Sequence, residues 1–154
     1  MIQTNNDKVL DTVRNQVHPD CIACGFTNIN GLHLKFAADK KGGVSASFVC
    51  NENFEGYPGI LHGGVISMIL DSAMGNCMFS HGRATVTVEM NTKFRHPVVT
   101  GRKAIVTAHI VRVSHPLYIL EARITQDAEI KAASTGKFYD QPNLMSCLEH
   151  YHEI

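Results

Sequence analysis

The chain has 154 residues, 44% hydrophobic and 18% charged, with 14 basic side chains balanced by 14 acidic ones. That is enough material for one hydrophobic core and too little for two ordinary domains, and a formal charge of zero leaves no global field to recruit nucleic acid or an anionic membrane. No apolar run approaches the roughly 18 residues of a membrane span, and the polar start Met1–Asp7 has neither the charge nor the apolar stretch of a signal peptide. A single cytoplasmic domain, residues 1–154, is expected, with no nucleic-acid or membrane partner. Five cysteines, an odd number, suggest reduced thiols more than a disulfide framework.

In chain order, Asn6 or Asp7 can cap a first helix with Val9, Leu10, Val13 and Val17 near helical spacing, and His18-Pro19 ends it. Residues 1–20 read as a helical flank. Residues 31–38 and 44–50 read as a hairpin around Asp39-Lys40-Lys41-Gly42-Gly43. A loop with Gly56, Pro58 and Gly59 then leads to a long apolar helix from about Gly63 to Phe79, terminated by Ser80-His81-Gly82. Four strands follow, over 84–94, 103–114, 118–126 and 130–139, rich in β-branched residues. Leu120, Ala122 and Ile124 alternate with Glu121, Arg123 and Thr125, the period of a sheet with one buried and one wet face, so the sheet should be antiparallel. The tail 141–154 has no strand pattern, and Leu144, Leu148 and Tyr151 fit a short helix. One long helix among six strands predicts an α+β hotdog arrangement, the sheet wrapped around the helix.

The start of the long helix carries the chemistry. Backbone N–H groups in a first helical turn lack intrahelical acceptors and can hold a carbonyl oxygen as it becomes negative, and Gly63 and Gly64 allow close approach to them. Asp71 sits eight residues further, among Val65, Ile66, Met68, Ile69, Leu70 and Met74, where a carboxylate needs a partner or a task. A plain surface aspartate on an amphipathic helix is the alternative. Eight residues at 1.5 Å each separate Asp71 from Gly63 by about 12 Å, too far for both to act on one carbonyl carbon. Two antiparallel helices across a two-fold axis would bring Gly63 of one chain to Asp71 of the other.

The chain resembles the PaaI-like branch of the hotdog acyl-CoA thioesterases, in the 4-hydroxybenzoyl-CoA thioesterase superfamily. The resemblance rests on Cys21-Ile22-Ala23-Cys24-Gly25, Asn30-Gly31-Leu32, Gly56-Tyr57-Pro58-Gly59, His62-Gly63-Gly64 nine residues before Asp71, Thr87-Val88-Glu89-Met90-Asn91, Phe94 and Pro97-Val98. It implies hydrolysis of acyl-CoA to acid and CoA without a cofactor. The Gly63 N–H would polarise the carbonyl, Asp71 would be nucleophile or general base, Thr87 would help hold Asp71 or water, and His62 would contact the thioester or fix the helix entrance. Gly64, Gly56, Met68, Asn91 and Arg95 fall at substrate-binding positions. A homodimer with two composite sites follows, and a dimer of dimers fits the family. The phenylacetyl-CoA type carries an asparagine six residues before the histidine, where this chain has Gly56, so neither that polar contact nor an aromatic preference carries over.

Of the cations, Arg95, Arg102, Lys103, Arg112, Lys131 and Lys137 lie in or beside the later strands, where one or two could meet CoA phosphates while most form a solvated face. The Cys21–Cys24 pair invites a metal or redox reading, but a structural zinc needs about four ligands, and His18, His33, Cys50, Cys77 and Cys147 offer no second paired spacing. The pair is therefore expected to be a packing or turn feature, with no metal. A hotdog hydratase would carry a histidine just before Phe-Pro ahead of the helix, where this chain has Asn53-Phe54-Glu55. A non-catalytic acyl-CoA-binding module remains the main alternative.

Overall fold

The computed structural model describes residues 4–146. Helix α1 (Asn5–Val17) is followed by β1 (Ala37–Ala38), β2 (Val44–Val49), the long helix α2 (Gly63–Ser80), β3 (Thr85–Phe94), β4 (Lys103–Ser114), β5 (Leu117–Gln126), β6 (Glu129–Asp140) and the short α3 (Asn143–Ser146). The six strands form one sheet in the order β1-β2-β4-β5-β6-β3, with every neighbouring pair antiparallel. Helix α2 contacts five of these strands. The expected hotdog arrangement is therefore present.

The core lies between α2 and the inner face of the sheet. Ile66, Ile69, Leu70, Ala73, Met74, Cys77 and Met78 of α2 are buried, as are Val44, Val106, Leu120, Ala122, Ile124 and Phe138 of the strands. Helix α2 is apolar around most of its circumference because α1 covers a further part of it. At Gly136 a Cβ would come within 2.7 Å of the Phe138 ring and 2.9 Å of the Met74 sulfur, so only glycine admits α2 this close to the sheet.

Three local readings need correction. The first helix is capped by Thr4 rather than Asn6 or Asp7; Asp7 instead closes a capping box, accepting the Thr4 N–H at 3.1 Å while its own N–H donates to Thr4 Oγ1 at 3.2 Å. The strand expected over 31–38 shrinks to two residues. His33 takes a left-handed φ of 51°, and the N–H groups of Leu32 and Leu34 donate to the carbonyls of Ile22 and Ala23 instead of to a neighbouring strand. In the tail, α3 spans four residues, and Leu148 and Tyr151 lie outside the described residues.

Sheet order leaves β3 at an edge, with only β6 beside it among the described residues. A bulge between Thr87 and Glu89 shifts its register by one residue. Residues four apart in a strand normally share a face, but the extra residue turns Thr87 toward the helix side and Asn91 to the outer face. Met90, packed on the core, and Phe94, beside Gly63, share the inner side beyond the bulge.

Candidate active site

Helix α2 begins where a loop is tied down from two directions. The His62 N–H donates to the Phe54 carbonyl at 2.9 Å, and the Leu61 N–H to the Val98 carbonyl at 2.9 Å. Behind them stands Gln126, 2% exposed, whose Oε1 accepts the Val99 N–H at 2.8 Å and whose Nε2 donates to the Val99 carbonyl at 2.9 Å. Gln126 thus satisfies both backbone groups of the segment that holds the helix entrance. Nothing in the local pattern of a strand-terminal glutamine announces this, because its partner is 27 residues away.

His62 is the N-cap of α2: its Nδ1 accepts the Gly64 N–H at 2.8 Å. With Nδ1 accepting, the proton of the neutral ring sits on Nε2, which is left as a donor. The cap therefore uses the Gly64 N–H and leaves the Gly63 N–H without an acceptor among the described residues. A Cβ on Gly63 would sit 3.6 Å from the Phe94 ring, an ordinary contact. Gly63, His62, Gly56 and Arg95 border an apolar cavity of about 430 Å³ together with Tyr57 and Phe94.

Asp71 is elsewhere. It is half-buried and accepts a hydrogen bond from Thr87 Oγ1 at 2.6 Å, one turn of helix joined to the edge strand. Met68, Asp71 and Thr87 border a separate cavity of about 300 Å³, which shares no lining residue with the one at Gly63. The structure thus divides the expected site residues into a donor group at the helix start and a carboxylate group two turns on. Asn91 joins neither: it lines an outer-face basin with Lys93, Arg95 and Arg123. Arg95 borders both this basin and the apolar cavity at Gly63.

Among the other cations, Arg102 pairs with Asp127 at 2.6 Å, Lys131 with Glu129 at 2.6 Å and Lys137 with Glu89 at 2.8 Å. These three are already paired with carboxylates. Lys93 and Arg123, on the outer face beside Arg95, were not singled out by position in the sequence, because only strand pairing brings them together.

Residues 58–133 match the model of the Thioesterase superfamily. The chain carries a Thioesterase superfamily segment over these residues. It is 28% identical over 81 residues to human acyl-coenzyme A thioesterase 13, covering 51% of this chain and 58% of that one. To bovine acyl-coenzyme A thioesterase THEM4 it is 26% identical over 86 residues, covering 54% and 35%. The chain thus spans about a third to three-fifths of the length of the curated relatives it matches. A crystal structure of a thioesterase superfamily protein superposes with a TM-score of 0.76 at 22% identity, covering 80% of this chain and 62% of that one. The PaaI protein of the E. coli phenylacetic acid degradation operon gives 0.66 at 19%, covering 71% and 80%. These likenesses carry the PaaI-like hotdog fold, and the matched segment contains Gly63, Asp71 and Thr87.

At the end of α1 the chain makes a tight turn through Cys21 and Cys24. The Cys24 thiol, and after it His18, hold the Cys21 thiol down to about 3, far below its ordinary value, against a rise from burial. Cys24 is pushed up by the same contact with Cys21 and by burial. Cys50 and Cys77 are buried free thiols pushed up to about 11 and about 12 by desolvation.

Proposed function

We propose that the protein hydrolyses acyl-CoA thioesters at a site shared between two copies of the chain. The observation that carries this reading is the separation of an unclaimed Gly63 N–H from a Thr87-held Asp71, on one helix but in two cavities. The superfamily match and the names of the relatives support the substrate class.

In this mechanism the thioester carbonyl oxygen accepts from the Gly63 N–H of one chain, with the α2 dipole adding partial positive charge. Asp71 of the other chain takes a proton from the attacking water, or attacks the carbonyl carbon itself to give a mixed anhydride that water then hydrolyses, and Thr87 fixes the carboxylate. The tetrahedral intermediate collapses, the C–S bond breaks, and CoA leaves as its thiolate. Lys93, Arg95 and Arg123 form a basic basin for CoA phosphates, and the apolar cavity beside Arg95 suits pantetheine. No cofactor is needed.

The edge strand β3 supports the dimer. Val86 is 38% exposed and Val88 55%, on a strand whose outer edge has no partner among the described residues, and such an edge is a template for pairing. A two-fold contact there would set the two α2 helices antiparallel and complete two equivalent sites. A dimer of dimers and a cytoplasmic location remain part of the proposal. Among the described residues no helix is long and apolar enough to cross a membrane.

The test is complementation, read as free thiol released from a panel of acyl-CoAs. Gly63→Pro deletes the donor at a helix position that tolerates proline, and Asp71→Asn deletes the charge. Each variant alone should be nearly inactive. Equal mixing with subunit exchange makes about half heterodimers, each with one intact site of two, so about a quarter of wild-type activity should return. A mixture that exchanges subunits, by native mass measurement, yet stays inactive would overturn the shared site. Saturable acyl-CoA binding with no thiol release from the wild type would make the protein a binding module.

A further inference from the structure

Pairing rules along the sequence find only Cys21 and Cys24, but the fold adds a third ligand. Helix α1 ends at His18, and the turn that follows folds back so that a His18 ring nitrogen and the two sulfurs all lie within 4.8 Å of one another. Cys24 Sγ is 3.8 Å from His18 Nδ1. A tetrahedral zinc ion, with Zn–S near 2.3 Å and Zn–N near 2.0–2.1 Å, spaces a sulfur and a nitrogen by about 3.6 Å. The Cys24–His18 pair is thus within a few tenths of an ångström of that spacing.

The surrounding backbone is built to hold this shape. The Ala23 N–H points at Cys21 Sγ at 3.4 Å, and the Gly25 N–H donates to the Cys21 carbonyl at 2.9 Å. Gly25 closes the turn so tightly that a Cβ there would sit 2.3 Å from the Cys21 nitrogen and 2.5 Å from the Pro19 oxygen. His18 is held in place by an edge-on contact with Phe79 of α2, ring centroids 5.0 Å apart. From α2, the polar side chains of Asn76 and Ser72 favour the thiolate form of Cys24. Asn76 is 1% exposed, and its Oδ1 has no partner.

We propose that His18, Cys21 and Cys24 bind one zinc-class divalent cation. Two thiolates and an imidazole suit zinc by softness, and three protein ligands leave one exchangeable position. No fourth side chain belongs to the group among the described residues, so that position goes to water. Since His18 and Cys21 line the cavity that contains Asp71, the water is drawn from there. The ion closes the turn after α1, which meets α2 through the His18–Phe79 ring contact. The site stands independently of the hydrolysis reading, because its ligands are not the groups assigned to the thioester.

Cobalt reports on this site without any assay of hydrolysis. Full-length protein, stripped with a chelator and kept reduced by a phosphine, is titrated with Co²⁺. One equivalent per chain should produce a sulfur-to-cobalt charge-transfer band and tetrahedral visible absorption, both erased by Zn²⁺. His18→Ala keeps both thiols and should weaken Co²⁺ binding at least about tenfold, and Cys21→Ser should weaken and diminish the charge-transfer band. Cys50→Ser should change nothing. Circular dichroism of each metal-free variant against metal-free wild type separates ligand loss from misfolding. A folded wild type with no charge-transfer band, or with a band that survives the paired Cys21→Ser and Cys24→Ser substitutions, would overturn the proposal.

Discussion

The start of α2 and its middle present two kinds of polar group, held in two different ways. At the start, the donor is backbone: Gly63 needs only to be glycine at the first helical position, and the His62 cap removes the neighbouring N–H from competition. In the middle, the acceptor is a side chain whose aim depends on another element, the Thr87 hydroxyl of β3 at 2.6 Å. A backbone donor is aimed by the helix that carries it, whereas a carboxylate is aimed by its tertiary partner. The two halves of the site should therefore fail differently.

The largest expected effect is on the middle. Asp71→Asn keeps size and much of the hydrogen bonding but removes the charge, so kcat should fall about 10²-fold or more with acyl-CoA binding largely retained. Steady-state kinetics with separately measured binding would check this, and a wild-type kcat would return Asp71 to a structural role. At the helix start Gly63→Ala should cost less, because the N–H stays and a Cβ at position 63 meets the Phe94 ring at an ordinary distance, whereas Gly63→Pro removes the donor.

Thr87→Val tests whether the middle really depends on its tertiary partner. Losing one hydrogen bond to a charged group on an exposed strand should lower kcat by about tenfold. Thr87→Ser, which restores the hydroxyl, should recover most of it. If both variants behaved alike, the hydroxyl would have no part in aiming Asp71.

Gln126→Leu probes the helix start from behind. It leaves the half-buried Val99 N–H and carbonyl without their partners, so urea unfolding should show a loss of about 1–3 kcal/mol. The effect on kcat should be only a few-fold, since the helix and its Gly63 N–H persist. A kcat loss equal to that of Asp71→Asn would mean that the entrance loop, and not the helix, aims the donor.

Much of this molecule is legible in its residues. The alternation in 118–126, the β-branched runs around it and the apolar length of 63–79 specify an antiparallel sheet with one long helix, because burial periodicity is a local property. The spacing of His62, Gly63 and Asp71 likewise specifies a donor and a carboxylate about 12 Å apart on one helix. Four features came only from tertiary structure. The bulge at Thr87–Glu89 put Asn91 on the opposite face from Thr87, and sheet order left β3 at an edge. Gln126 found its partner through a loop distant in sequence, and the turn after α1 brought His18 to two cysteines whose spacing alone offered too few ligands. Each depends on which groups meet after the chain has folded back on itself, and no local period encodes that.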